Sequence, residues 1–410
     1  MKRLKFPSAE QSPLIALSEH CRSLAVSCRL LLSTILLITN LTSCQSISSY
    51  QSIRQSIRSF PQKRVNWPPP PGYRDIKGAI HIHSYLSHDS DGRPEEIIDG
   101  AITAGLEFII MTDHYNPLTI NEGMAGMHRG ILVIQGAEIR KRKLSLLGLG
   151  MKRIIQHETL STQEIVDQLK AEGALVFAAH PAGETEWQTL TGLHGMEIYD
   201  IYDDATDHKI RYPGYFFDIL FSFKKYPDEV FLSILDRPEK ELALWDRKTQ
   251  GTRLVGIAGN DAHQNIRLFG QQIDPYERSL RFVATHLYVP SLNEASILEA
   301  LKQGKAYVSF DILADGTGFL FGLRNKEKLW LMGEEIPLQK GMQIVAHAPL
   351  SGKAHLIRNG KVIHEIEGRE FLFIPEKGGV YRVEWFLRLN ERWWPWIFSN
   401  PIYLGDWRNS

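Results

Sequence analysis

From Lys77 onward the chain repeats one pattern, a short apolar run followed by a longer amphipathic or polar segment, and that pattern admits few folds. The runs are Gly78 to His83, Glu107 to Thr112, Ile131 to Ile134, Ala174 to Ala179, Gly195 to Tyr199 and Thr252 to Ala258, with Leu280 to Val289 as the seventh. Short apolar runs bounded by turn residues read as strands. Stretches with helical spacing, such as Pro94 to Ala104 and Thr162 to Glu172, fall between them. Strands alternating with helices imply an α/β fold with a mostly parallel sheet, and seven of them predict a (β/α)7 barrel over 75–310. A longer, mainly helical insertion lies between Asp203 and Gln250, and its aromatics Tyr212, Phe216, Phe217, Phe221, Phe223 and Trp245 read as packing.

After Ser309 the helical spacing stops and alternating strands take over. Asn359-Gly360 between two apolar runs is a hairpin signal, so 311–410 predicts a small antiparallel β-sandwich. A length of 410 residues agrees with two or three domains. Lys plus Arg and Asp plus Glu are equal at 47 each, so the balance carries no signal for a nucleic-acid surface.

The first residues read as an address. Lys2, Arg3, Lys5, Arg22 and Arg29 precede an uncharged apolar run from Leu30 to Thr39, about half the ~20 residues needed to span a bilayer. Leu41-Thr-Ser-Cys44 follows and resembles the lipobox of bacterial lipoproteins, which implies a signal peptide over 1–43 and lipidation of Cys44. The expected location is extracytoplasmic, with the membrane engaged only through the lipid anchor. Gln45 rather than Asp after the Cys favours the outer membrane in a Gram-negative source. Residues 44–74, rich in Ser and Gln and ending in Pro68 to Pro71, predict a tether. The only other cysteines are Cys21 and Cys28, so any metal downstream must be held by His and carboxylates.

Those residue types recur at the strand ends. His81 and His83 stand two apart on one strand, so both imidazoles project from the same face. Asp89 follows in the loop, His114 closes the second strand, Glu138 follows the third, His180 closes another, and Asp261 and His263 end a further one. Ligands arriving singly at successive strand ends suit a barrel with its site at one rim. By contrast, His194, His286, His347, His355 and His364 lie off this pattern and read as packing.

Over roughly residues 75–310 the sequence resembles the PHP (polymerase and histidinol phosphatase) superfamily, on His81-Ile-His83-Ser84, Ser87-His-Asp89, Thr112-Asp-His114, Gly136-Ala-Glu138, His180-Pro181 and Gly259-Asn-Asp261-Ala-His263. The resemblance implies a distorted seven-stranded βα barrel binding two or three divalent ions. By it, His81, His83, Glu138 and Asp261 hold the first metal, Glu138 bridges to a second at His180, and Asp89, His114 and His263 hold a third. Ser87-His-Asp89 and the ending Trp396 to Pro401 resemble a carbamate-hydrolase-like branch with a C-terminal β domain. Ser145 stands about where relatives place another His, so Glu197 is a candidate extra ligand, and His88 competes with Asp89.

Clustered cations bring the pKa of a bound water towards ~7 and polarise a substrate oxygen. Zn, Mn or Fe all suit His with carboxylate. Asp261 and His263 are the catalytic candidates, with Arg140 and Lys143 as contacts for an anionic small-molecule ester. The expected activity is phosphoester hydrolysis, on monoesters or diesters. Hydrolysis at a carbamate, ester or amide carbon is the first alternative, and a surface binding protein with a structural metal is the second.

Overall fold

The computed structural model describes residues 48–182, 186–207, 220–268 and 270–409. The signal, Cys44, Tyr212, Phe216 and Phe217 lie outside them. No helix among the described residues is long and apolar enough to cross a membrane.

Strand β1 (Arg74–Ile82) pairs in parallel with β2 (Phe108–Met111), and β2 in parallel with a long strand, Ile131–Lys141. A short strand, β3 (Gly126–His128), caps the edge, so the long strand is β4. β4 turns back antiparallel into β5 (Leu144–Leu149), which pairs antiparallel with β6 (Leu175–Ala179). β6, β7 (Gly195–Asp200) and β8 (Val255–Gly259) continue in parallel. The ladder then meets its own start. Asn260 N donates to Ile80 O, Ala262 N to His81 O, and His83 N to Ala262 O, at 2.9, 3.2 and 3.0 Å.

Seven strands therefore meet in a ring, but the seventh is not the one expected. Ala284–Val289 runs antiparallel to the first half of β1, outside the ring, and hands the sheet on to Ala306–Ser309. Its place is taken by β5. The turn Arg142-Lys143 lacks Gly, Asn and Asp, the residues that announce a two-residue hairpin; Arg142 takes the left-handed conformation itself, at φ 58°.

Alternate residues of the ring point inward and fill it. Ile80, Phe108, Ile110, Ile134, Leu147, Phe177 and Ile257 are all fully buried in one cluster beneath the strand ends. A packed floor of this kind keeps the site at the rim. Outside, the helix Thr162–Ala171 begins with a capping box between Ser161 and Glu164 and buries Ile165, Val166 and Leu169. In the insertion, Phe223 and Trp245 are core as expected, whereas Phe221 is exposed.

The C-terminal strands are antiparallel: Gln343–Arg358 pairs with Lys361–Phe373 and Gly379–Leu389, and the latter with Arg392–Ser399. Arg392–Ser399 also pairs with Ala306–Ser309, so hydrogen bonding runs unbroken from the ring into this sheet. The Asn359-Gly360 turn closes the hairpin as expected, with both residues at positive φ.

The predicted tether contains a helix over 48–63. The duplication Gln51-Ser-Ile-Arg-Gln-Ser-Ile-Arg58 repeats every four residues, which stacks Ile53 and Ile57 on one helical face. Tyr50 and Ile53 are buried, and Arg54 pairs with Glu229 at 2.6 Å over the ring of Tyr226. Composition suggested a spacer because the period-four spacing is only two repeats long.

Candidate metal centre

His81, His83, Glu138 and Asp261 converge at the rim. His81 Nε2 and His83 Nε2 each lie 3.6 Å from Glu138 Oε2 and 3.4 Å from Asp261 Oδ1. Both nitrogens are buried and lack a hydrogen-bond partner. Ligands bound at 2.0–2.2 Å in a tetrahedron stand roughly 3.4 Å apart, so each carboxylate stands near ligand spacing from both imidazoles, and His81, His83 and Asp261 gather as one group that could hold an ion. Buried nitrogens without partners are otherwise costly.

The backbone turns to achieve this. His81, His180 and Asp261 are non-glycine residues at φ 69°, 47° and 41°, and β1 carries a register shift at His81. Strain of this sort costs about 1–3 kcal/mol per residue and concentrates at functional sites. His81 and His83, paired in the sequence by their two-apart spacing, are thus brought together by a different local geometry.

The rings are held from behind. His81 Nδ1 lies 2.6 Å from Glu197 Oε1, His83 Nδ1 3.0 Å from Ser87 Oγ, His180 Nδ1 3.1 Å from Asp203 Oδ1, and His263 Nδ1 3.0 Å from Asp261 O. Each contact leaves Nε2 for the site, the usual arrangement of a metal-bound imidazole and its orienting partner. Ser87 Oγ in turn donates to Asp113, which also accepts from Ser84 N and Oγ.

A second group forms beside the first. Asp89 lies 3.1 Å from His114 Nε2 and 3.4 Å from His263 Nε2, and these gather with His83. Asp89 therefore stands in the cluster. His88 is exposed, 3.9 Å from Asp89, and outside it. Glu138, expected to bridge towards His180, has its close contact with His114 Nδ1 at 3.0 Å. Glu197, the candidate extra ligand, is buried behind His81, accepts from His180 N at 3.0 Å, and gathers with His81, His180 and Asp200 in a group that could hold an ion.

His180 instead faces Asp203 and Asp200, at 3.1 and 3.7 Å. Sequence reading missed both acids, although the run Asp200-Ile-Tyr-Asp203, which begins on the last residue of β7, was a visible signal. Arg140, Lys143 and Ser145 line the same cavity as His114, Glu138, His180, Asp261 and His263.

Charge is distributed unevenly. Burial, with the neighbouring His263 and His81 adding to it, pushes His83 down to about 4 against the pull of Asp261. Burial opposes charge on His81 too, but Glu197 and Asp261 outweigh it and raise its pKa well above the usual value. Despite burial, His114 and His81 hold Glu138 far below the usual carboxylate range, and His81 and His83 do the same for Asp261. Neutral imidazole and ionised carboxylate are the forms that bind metal.

The PHP domain model matches residues 79–211. The matched segment, about a third of the chain, holds His81, His83, Asp89, His114, Glu138, His180 and Glu197; Asp261 and His263 lie beyond it. An uncharacterized protein of Methanocaldococcus jannaschii is 29% identical over 146 residues, 32% of this chain and 80% of the relative. Among solved structures, a two-domain protein from Bacteroides vulgatus, containing a predicted PHP-like metal-dependent phosphoesterase, is 18% identical with a TM-score of 0.41, over 82% of this chain and 98% of that one. A provisionally named metal-dependent phosphoesterase from Bifidobacterium adolescentis is 15% identical with a TM-score of 0.30, over 50% of this chain and 91% of that one.

Proposed function

We propose that this protein is a metal-dependent phosphoesterase, a distorted PHP-type barrel joined to a C-terminal β-sandwich. The observation that carries the reading is the convergence of His81 Nε2 and His83 Nε2, buried and without hydrogen-bond partners, on the carboxylates of Glu138 and Asp261. The His and carboxylate set suits Zn, Mn or Fe. Divalent ions bound at the two neighbouring groups would supply the charge that activates water and stabilises a phosphoryl oxygen. His81, His83, Glu138 and Asp261 would hold one ion, and Asp89, His114 and His263 a second, with His180 available to a third.

In the reaction a water oxygen bonds to phosphorus and the bond from phosphorus to the alcohol oxygen breaks. Asp261, ionised and buried, takes the proton that water gives up. His263 lies 3.5 Å from Asp261 as the second catalytic candidate, and the leaving oxygen takes its proton from solvent in the open cavity. Glu197, Ser87 and Asp203 keep the imidazoles in their working orientation. A panel of phosphate monoesters, phosphodiesters, carbamates and aryl esters, offered to the protein reconstituted with Mn or Zn, tests the reading. Turnover of phosphate esters is expected. Turnover confined to carbamates or aryl esters would move the chemistry to carbon, and inertness towards all would leave a binding protein.

We also propose that the enzyme works outside the cytoplasm, anchored through Cys44. Cys44→Ala should lose lipid labelling and lipoprotein-type processing; label retained by that variant would overturn the anchor.

A further inference from the structure

The metal-binding groups line one part of a cavity of about 500 Å3, within the range of small-ligand sites. On β4, Glu138 and Arg140 stand two apart and so share a face, about 7 Å along the strand. Arg140 is exposed, and the residue directly opposite it in the β4–β5 register is the small, buried Ser145, which lines the same cavity. Lys143 stands in the turn beside it. Neither the Arg140 nor the Lys143 side chain makes a hydrogen bond or ion pair among the described residues, although Asp89 and Asp203 line the same cavity. Their neighbour Lys141, off this face, is spent on the carbonyls of His157 and Glu158.

Other lining residues are apolar. Tyr202 and Ile266 are 58% and 54% exposed, unusual for large apolar side chains beside a charged site, and Phe231 and Ile234 line the cavity with them. An occupant covering Tyr202 and Ile266 removes that surface from water.

We propose that the site takes phosphate monoesters of small apolar or aromatic alcohols, with Arg140 and Lys143 reading the second negative charge of the phosphoryl group. This rests on the phosphoesterase reading above. A monoester carries a doubly charged phosphoryl with three terminal oxygens, which engages both the metal-binding groups and a planar guanidinium fork. A diester has one charge fewer, and its second alcohol would bury Arg140 against carbon.

The experiment compares p-nitrophenyl phosphate with bis(p-nitrophenyl) phosphate on wild type, Arg140→Gln and Arg140→Lys. Metal content is measured on each, and inorganic phosphate binding is followed by calorimetry. Wild type should prefer the monoester. Arg140→Gln should lower the monoester-over-diester ratio of kcat/KM by about 10- to 100-fold, the worth of a charged hydrogen bond, mainly through the monoester KM, with metal content unchanged and phosphate affinity weakened. Arg140→Lys should recover part of the ratio. Equal losses on both esters, or unchanged phosphate affinity in Arg140→Gln, would overturn the proposal. A wild type that turns over neither ester defeats the phosphoesterase reading itself. In that event phosphate affinity decides alone: weakened binding in Arg140→Gln supports the anion site, and unchanged binding overturns it.

Discussion

His81 and His83 are two residues apart and equally buried, yet burial leaves one neutral while carboxylates hold a charge on the other. The difference is Glu197, which touches His81 Nδ1 at 2.6 Å, whereas His83 Nδ1 meets only the hydroxyl of Ser87. Removing an orienting partner of a metal-bound imidazole typically costs 10–100-fold in metal affinity. Glu197→Ala should therefore weaken Zn binding by at least about that factor, as read by competition with a chromophoric chelator. Unaltered affinity would make Glu197 a packing residue. The side chains that converge at the rim were legible in the sequence because most of them stand at a strand end beside an apolar run. Asp200 and Asp203 were not, because they are ordinary acids until the end of β7 brings them to His180.

At the scale of elements, turn chemistry decided what could be read. Asn359-Gly360 announced its hairpin, and the two residues take φ 50° and 77°. A Cβ at Gly360 would stand 3.2 Å from Cβ of Asp246, and a branched residue would add backbone strain at that φ. Gly360→Val should cost about 1–3 kcal/mol, seen as a lower urea midpoint with an unchanged slope; an unshifted midpoint would contradict the strain argument. Arg142-Lys143 makes an equally tight turn with no such residues, so β5 was missed and Ala284–Val289 was assigned its place in the ring. The helix over 48–63 escaped for a different reason: its stability comes from Tyr50 and Ile53 packing on distant residues, and local composition does not report tertiary burial.

Across the whole molecule, the ring and the C-terminal sheet meet at a buried charge network. His286, fully buried on Ala284–Val289, lies 3.5 Å from Asp75 of β1 and 3.4 Å from Asp311, and Lys77 bridges Asp311 and Asp315 at 2.9 and 3.1 Å. Burial opposes charge on His286, but Asp311 outweighs it and raises the imidazole to about 9. A raised folded pKa stabilises fully below the ordinary value near 6.5 and is lost as pH climbs through about 9. Despite burial, His286 and Lys77 hold Asp311 below the usual carboxylate range, so its contribution fades on the acid side. His286→Gln should thus be destabilised by about 3 kcal/mol at most near pH 6, with the gap to wild type closing above pH 9. A gap independent of pH would remove the charge from the account. This joint explains why a site spread from His81 to His263 needed the closed ring to become a site: sequence order supplied the ligands, but which ones face each other depends on β8 returning to β1. The most direct test is metal content and p-nitrophenyl phosphate turnover measured together on chelated, reconstituted wild type, His81→Ala and Asp261→Ala. The account predicts two or three ions per wild-type chain, at least one fewer in each variant, and turnover abolished by chelation and in both variants; full turnover in the chelated protein or in both variants would contradict it.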